Sequence, residues 1–205
     1  MTYTSEAFLS LIKNDVIADM KRSGILASLT AAQALLESNN GNSKLSAPPN
    51  YNLFGIKGNY NGQSVCMNTK EYVQGKYVTV KAYFKKYPSW LESIRDHSDM
   101  FNRLARYKNL RGEKDYKTAC KNVELDGYAT EPNYAESLIN VIQKFKLYQW
   151  DSEQPVEADE ELDQAVDIIA RRVIDGRFGN GHDNRSFQIY ELIRQRVNDI
   201  INTES

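Results

Sequence analysis

One segment, SGILASLTAAQALLES, constrains the fold most strongly because it is apolar almost all the way round a helix. A helix without a polar face belongs inside a protein, where its apolar surface leaves water. Three polar side chains, Thr30, Gln33 and Glu37, interrupt that surface at spacing i, i+3 and i+7. This spacing places them on one face. The helix therefore either lines a cleft or holds an internal hydrogen-bond network.

Glu37 is the member of this stripe with the clearest chemical potential. It lies in the last helical turn, directly before the helix-breaking residues SNNG. The negative end of the helix dipole and apolar neighbours both favour the protonated carboxylic acid there. A carboxyl group that keeps its proton can donate it to a leaving oxygen. The plain alternative is a capping or ion-paired glutamate.

Hydrophobic spacing predicts an α+β fold that is mainly α. Apolar residues recur at helical spacing within residues 8–16, 25–37, 88–104 and 138–145. Two β-rich runs, SVCMNTKEYV and YVTVKAYF, predict a hairpin whose turn contains Gln74, Gly75 and Lys76. The expectation is a helical domain with one small β-hairpin lobe.

An acidic run with a proline, DSEQPVEADEE, predicts a linker over residues 151–161. It separates a domain at 1–150 from a short helical module at 162–205. The first 150 residues hold 20 Lys and Arg against 14 Asp and Glu, and the remainder holds 6 against 13. A basic body suits an anionic polymer such as cell wall or nucleic acid, although charge alone does not choose between them.

Several classes of protein are disfavoured. No stretch approaches a membrane-spanning length, and the start, MTYTSEAFLSLIKND, lacks the basic-then-apolar order of a signal peptide. We therefore expect that the protein is made in the cytoplasm and does not insert into a membrane. Cys66 and Cys120 lack metal-ligand spacing and are expected to be buried or inert. His97 and His182 lack neighbouring ligands or a nucleophile and are expected to be plain surface or core residues.

Four blocks in order, ALLESNNGNS, YNLFGIKG, TKEY and GYATEPNYAESL, resemble the glucosaminidases of glycoside hydrolase family seventy-three. The resemblance spans roughly residues 5–148. It implies a lysozyme-like fold and hydrolysis of the β-1,4 bond after N-acetylglucosamine in bacterial peptidoglycan, with no metal or other cofactor. Peptidoglycan is then the expected partner of the basic domain, and nucleic acid is not.

The resemblance also implies catalytic roles. The motif glutamate falls on Glu37, the proton donor, and the glutamate of the β-lobe falls on Glu71. A second carboxylate can orient water or stabilise an oxocarbenium-like transition state. Alternatively, the 2-acetamido group of the sugar attacks its own anomeric carbon. Tyr134 matches an aromatic position at the floor of the cleft and is a candidate for a catalytic hydrogen bond.

Further residues of these blocks are candidates for binding substrate. Tyr128 matches a second aromatic position of the cleft floor, and Gln33 lies on the polar face of the central helix. An amide such as Asn52 can bind an acetamido group, whereas rings such as Phe54 and Tyr60 can stack on a sugar face. Trp90, at helical spacing, is expected in the core.

The chain departs from the family pattern directly after the catalytic motif. The family usually has glycine and an aromatic residue after Glu-Ser, whereas this chain has Asn39 and Asn40. The change predicts a more polar subsite next to the acid.

The tail carries a second resemblance. ARRVIDGRFGNGHDNRSFQIYELIRQRVNDII is similar to the Cpl-seven cell-wall-binding repeat of some phage lysins. This implies that Arg177 and Phe178 are the first candidates for wall contact, and the alternative is a module for self-association. Together the two resemblances predict a phage endolysin acting on the cell wall. The rivals are a lytic transglycosylase and a wall-binding or phage structural protein without activity.

Overall fold

The computed structural model describes residues 2–73, 76–129 and 132–153. The described part of the chain consists of helices and one β-hairpin. In chain order they are helix α1 (Ser5–Ser23), helix α2 (Ala27–Ser38), strand β1 (Ser64–Val73), strand β2 (Lys76–Lys85), helix α3 (Trp90–Arg103), a 3₁₀ helix (Ala105–Tyr107), helix α4 (Tyr116–Leu125), helix α5 (Tyr134–Lys144) and a second 3₁₀ helix (Leu147–Asp151). This confirms the mainly α fold with a small β-lobe.

The chain divides after Glu153, and residues 154–205 form a separate unit outside the described residues. The helical module expected at 162–205, with Arg177, Phe178 and His182, lies wholly in that part. It stays a prediction, as does the linker beyond residue 153.

Helix α2 is the centre of the domain. Its residues from Ala27 to Leu35 are all buried, including the polar Ser28, Thr30 and Gln33. Helices α1 and α5 and the second 3₁₀ helix pack around it. These neighbouring elements thus cover the almost uninterrupted apolar surface of the segment.

The start of α2 is capped from the far end of the domain. Its N-cap residue, Leu26, has no side chain that can accept a hydrogen bond. The Asp151 carboxylate takes this role, accepting from the Ser28 backbone N–H at 2.8 Å and from the Ser28 hydroxyl at 2.7 Å. Asp151, the first residue of the predicted linker, therefore belongs to the folded domain. Burial raises the pKa of this carboxyl above its ordinary value, although the bonds from Ser28 act in the opposite direction.

The two strands form an antiparallel hairpin. Ser64 pairs with Lys85 at its base and Val73 with Lys76 at its tip, so Lys76 belongs to β2 rather than to the turn. Phe84 is buried, and the Lys85 ammonium contacts the Asp96 carboxylate of α3 at 2.7 Å. These contacts attach the base of the hairpin to the helical body.

Three smaller findings concern single sequence expectations. Trp90 lies in the core as expected, with its indole N–H donating to the Ser46 carbonyl at 2.8 Å. Cys120 is buried as expected, whereas Cys66 is exposed on β1, so for Cys66 the expectation of an inert thiol stays a prediction. In residues 2–73, 76–129 and 132–153, no helix has both the length and the apolar character to cross a bilayer.

Candidate active site

The carboxyl group of Glu37 meets the hydroxyl of Tyr134 at the end of the buried helix. The Tyr134 O–H donates to Glu37 Oε1 at 2.8 Å. The two residues are 97 positions apart, on the last turn of α2 and the first turn of α5. The packing of α5 on α2 therefore assembles the site.

Glu37 is exposed, which corrects the expectation of apolar surroundings for its side chain. In the last turn of α2, Leu36 and Glu37 are exposed, whereas Leu35 before them and Ser38 after them are buried. The carboxyl group thus lies at the end of a buried helix and is itself accessible from solvent.

The chain turns sharply after Glu37 through three residues in the left-handed region. Asn39, Asn40 and Gly41 have φ values of 53°, 57° and 74°. Asparagine tolerates this region better than other side-chain residues, so Asn39 can replace the family's glycine. Gly41 cannot be replaced in the same way, because an added Cβ would lie 2.8 Å from the Phe8 ring and 3.1 Å from the Trp90 ring.

Tyr134 is almost fully buried and keeps its proton. Burial, and after it the charge of Glu37, raises the pKa of Tyr134 above its ordinary value. The ring stacks against Tyr128, with ring centroids 5.9 Å apart and planes 18° apart. Burial also raises the pKa of Tyr128, which is only partly exposed. Both predicted cleft-floor tyrosines therefore lie beside the acid as neutral phenols.

A cluster of buried aromatic rings packs against Tyr128, which in turn stacks on Tyr134. His97 is fully buried, stacks on Phe54 at a centroid distance of 3.9 Å and contacts Phe101 and Tyr128 edge-on. Neither ring nitrogen has a hydrogen-bond partner. Burial lowers the pKa of this imidazole to about 3, so it is neutral at pH 7. The sequence correctly allowed a core histidine but did not reveal that it supports the site.

Three predicted substrate contacts are contradicted by burial. The Asn52 amide donates to the Ile56 and Lys85 carbonyls at 2.9 and 2.8 Å and accepts from the Ile56 N–H at 3.1 Å. This amide holds its loop to β2 and is buried, so a sugar acetamide cannot reach it. The Phe54 ring is covered by His97, and Gln33 is fully buried beneath Tyr134. None of the three side chains is accessible to a sugar.

The remaining sequence candidates are only partly located. The Tyr60 hydroxyl donates to Glu92 at 2.6 Å, and this bond raises the pKa of Tyr60 to about 12. Its ring packs on Tyr87 and is partly exposed, so stacking on a sugar stays a prediction. Glu71 pairs in register with Val78, two pairs from the hairpin tip. Its role as the second carboxylate also stays a prediction.

The described side chains contain no cluster of three His, Cys, Asp or Glu residues that could hold a metal ion. The assembled groups are one accessible carboxyl and two neutral phenols. They can donate a proton and then stabilise the carboxylate that remains.

Comparison with known proteins agrees with this geometry. Residues 13–147 match the glucosaminidase family model, described as mannosyl-glycoprotein endo-beta-N-acetylglucosaminidase. The exo-glucosaminidase LytG of Bacillus subtilis is 42% identical over 136 residues, which is 64% of this chain and 48% of that protein. A probable N-acetylmuramidase of Lactococcus lactis is 38% identical over 73% of this chain and 36% of its own length. The chain thus spans about half or less of these curated relatives.

A solved structure gives the same result for the fold. The catalytic domain of the autolysin Auto from Listeria monocytogenes superimposes with a TM-score of 0.68 at 38% identity, covering 74% of this chain and 91% of that domain. Residues 13–147, which the family model matches, contain the central helix with Glu37, the hairpin and the helix with Tyr134. The match to the family model, together with the fold and the site, shows that the chain belongs to the glucosaminidase family.

Proposed function

We propose that this chain is a peptidoglycan hydrolase, an endo-β-N-acetylglucosaminidase that cleaves the β-1,4 bond after N-acetylglucosamine in the bacterial cell wall. The observation that carries the proposal is the accessible Glu37 carboxyl held by the Tyr134 hydroxyl at 2.8 Å. Membership of the glucosaminidase family supports the reaction class. Relatives named as a glucosaminidase and a probable N-acetylmuramidase support a glycan substrate.

In the proposed reaction, Glu37 acts as the general acid. Its proton passes to the glycosidic oxygen as the bond from that oxygen to the anomeric carbon breaks. Positive charge develops on the sugar ring, and Glu37 becomes a carboxylate that accepts the Tyr134 hydrogen bond. Water then completes hydrolysis and leaves a reducing end. The opposite face of the sugar is served either by Glu71 or by the 2-acetamido group of the substrate.

The decisive experiment compares wild-type protein, Glu37→Gln and the exposed control Glu6→Gln on purified peptidoglycan. We expect Glu37→Gln to abolish the loss of turbidity and the release of new reducing ends while the protein still binds the walls. Glu6→Gln should retain both activities, because Glu6 is an exposed side chain of α1, a different helix from those that carry Glu37 and Tyr134. Unchanged lysis by Glu37→Gln would remove Glu37 from the mechanism.

Mass spectrometry of the products identifies the bond and the reaction. Reducing N-acetylglucosamine ends on oligomeric fragments support the endo-glucosaminidase, whereas reducing N-acetylmuramic acid ends indicate the muramidase bond. Release of single sugars indicates an exo mode, and anhydro-muramyl ends indicate a lytic transglycosylase. The Glu71→Gln variant separates the two routes on the opposite face. A loss of about 100-fold or more in kcat supports a carboxylate role for Glu71, whereas wild-type turnover supports acetamido assistance.

We further propose that residues 162–205 bind the cell wall and that the whole protein acts as a phage endolysin. The support is the GRFGNG turn between two segments of helical spacing, together with the similarity of this tail to Cpl-seven repeats. Binding through the tail would raise the local concentration of the catalytic domain on its insoluble substrate. Self-association of the tail is the competing proposal, and sedimentation of the full chain without wall material tests it.

A further inference from the structure

Gln33 is a buried polar residue that the proposed reaction does not use directly. It lies one turn before Glu37 on α2 and is fully buried. Its Nε2 group donates to the Tyr134 hydroxyl oxygen at 3.2 Å, whereas its Oε1 atom is buried without any hydrogen-bond partner. A buried unsatisfied amide oxygen is unfavourable, and an apolar side chain of the same length would avoid it. Fold stability therefore does not account for glutamine at this position.

In the hydrogen bond between Gln33 and Tyr134, the amide is the donor and the hydroxyl oxygen is the acceptor. A hydroxyl group carries one proton, and an N–H donor at its oxygen turns that proton towards another acceptor. For Tyr134 this acceptor is Glu37 Oε1 at 2.8 Å. The reversed amide would instead accept the Tyr134 proton and withdraw it from Glu37. A hydrogen bond to a carboxylate is stronger than one to an amide oxygen, so the donating orientation is favoured.

We propose that Gln33 is a positioning residue for the catalytic acid, an inference that rests on the proposed hydrolase function. Gln33 holds the Tyr134 hydroxyl as a permanent donor to Glu37 Oε1. The acid proton is then carried on Oε2, because a donor held at Oε1 disfavours a second proton there. When the proton has left for the glycosidic oxygen, the same hydroxyl stabilises the carboxylate without any rearrangement.

The test measures pH profiles of kcat and KM for the full chain with peptidoglycan fragments, comparing wild type with Gln33→Met and Gln33→Glu. Met has similar length and no donor. We expect kcat of Gln33→Met to fall about tenfold with KM nearly unchanged, because the lost interaction stabilises the transition state rather than the bound substrate. The alkaline limb should move to higher pH, because the Glu37 carboxylate loses part of its stabilisation.

Gln33→Glu supplies the conservative comparison. A buried carboxylic acid stays protonated at mildly acidic pH and can donate to Tyr134 as the amide does. Near pH 5 this variant should keep most of the wild-type kcat. Because burial raises the pKa of such an acid, it should still donate to Tyr134 over the pH range in which Glu37 titrates, and its alkaline limb should stay near that of wild type. Only the variant without a donor should thus shift the limb, whereas a general loss of packing would affect both variants.

Thr30→Val is the matched control, since Thr30 is equally buried one turn earlier on α2. It should keep the wild-type pH profile. Wild-type kcat and profile in Gln33→Met, or the same shift in Thr30→Val, overturn the inference. Should Gln33→Met fail to fold by circular dichroism, Gln33→Glu decides, and a tenfold lower kcat near pH 5 in this variant, which keeps a donor at position 33, overturns the inference. An inactive wild-type chain contradicts the proposed function itself, and the inference with it.

Discussion

At the scale of single residues, Tyr134 connects the core to the acid. Its ring lies against Tyr128 in the interior, and its hydroxyl reaches Glu37 at the surface. Because burial raises the pKa of Tyr134 above its ordinary value, the hydroxyl remains a donor at neutral pH. A neutral donor of this kind stabilises the carboxylate formed when Glu37 gives up its proton.

Removal of that hydroxyl should impair catalysis without impairing binding. We expect Tyr134→Phe to lower kcat by about 10- to 100-fold, the range for one hydrogen bond to a charged group, with KM nearly unchanged. Steady-state kinetics on peptidoglycan fragments measure both constants. Tyr116→Phe is the control, because the Tyr116 hydroxyl only accepts a long 3.4 Å bond from Gln143. Equal kcat values for the two variants would contradict a catalytic role for Tyr134.

His97 makes the stability of the domain depend on pH. The pKa of this imidazole is about 3 in the folded protein against 6.5 for an unperturbed histidine. Only the unfolded chain takes up the proton between these values. Stability is therefore fully present above pH 6.5 and is lost as the pH falls towards 3. The loss is at most about 5 kcal/mol.

Replacement of the imidazole by an apolar ring should remove this dependence. In urea unfolding at a series of pH values, we expect the free energy of unfolding of His97→Phe to exceed that of wild type increasingly below pH 6.5. Asp19 and Asp151, whose pKa values are raised by burial, titrate in both proteins and cancel in the difference. A difference that does not vary with pH would show that His97 is not buried as a neutral ring.

The sequence could identify Glu37 and Tyr134 but not the roles of the amides and rings around them. Asn52, Phe54 and Gln33 have the right chemistry for binding sugars, and all three are buried. Whether a polar group faces a ligand or is satisfied by a backbone carbonyl 33 residues away, as Asn52 is by Lys85, depends on packing. Local sequence carries no signal for such a distant partner.

At the scale of elements, α2 combines a buried body with two specialised ends. One end carries Glu37, and the other is capped by Asp151 from the last 3₁₀ helix. Capping by a residue 123 positions away ties the end of the domain to its central helix.

Loss of this cap should destabilise the domain. We expect Asp151→Ala to lower the free energy of unfolding by about 1–2 kcal/mol, as for other helix caps. Ser28→Ala should add little in the double variant, because both substitutions disrupt the same interaction. Glu153→Ala is the control, since the partly exposed ion pair of Glu153 with Lys13 should contribute less than about 1 kcal/mol. Urea unfolding measures each value, and full additivity would contradict the cap.

Sequence patterns located the hairpin and four of the five α-helices in the described part of the chain but missed α4 and the two short 3₁₀ helices. The hairpin was recognisable because its two runs have strand composition on both sides of a short turn. Helix α4 was not predicted, because its ten residues bury only Ala119, Cys120 and Val123. Two of these three are small, so the apolar periodicity is weak. A capping signal was present, since the Asp115 side chain accepts from the backbone N–H groups of Lys117 and Thr118.

At the scale of the whole molecule, a basic domain precedes an acidic tail. The excess of Lys and Arg in residues 1–150 suits the anionic wall, whereas the acidic tail requires recognition of another kind. If the tail binds the wall, its loss should slow activity on insoluble walls but not on soluble glycan fragments, which need only the catalytic domain.

The proposed division can be tested in the full chain. We expect the double variant Arg177→Ala and Phe178→Ala to pellet with purified walls about tenfold less than wild type and to clear wall suspensions more slowly. Its turnover of soluble glycan fragments should be unchanged, because the catalytic side chains are intact. Arg111→Ala, an exposed position in the catalytic domain, is the control. Equal losses on soluble and insoluble substrates would contradict a tethering role.

The sequence by itself determined the central buried helix, the hairpin and the family, and it singled out Glu37 as the candidate acid. These follow from local periodicity and from motifs whose residues are close in the chain. Only the tertiary structure decided that Tyr134 donates to Glu37, that Gln33 donates to Tyr134, and that Asn52 and Phe54 belong to the scaffold. Each of these depends on contacts between distant segments, because burial and hydrogen-bond direction arise only when helices and loops pack together.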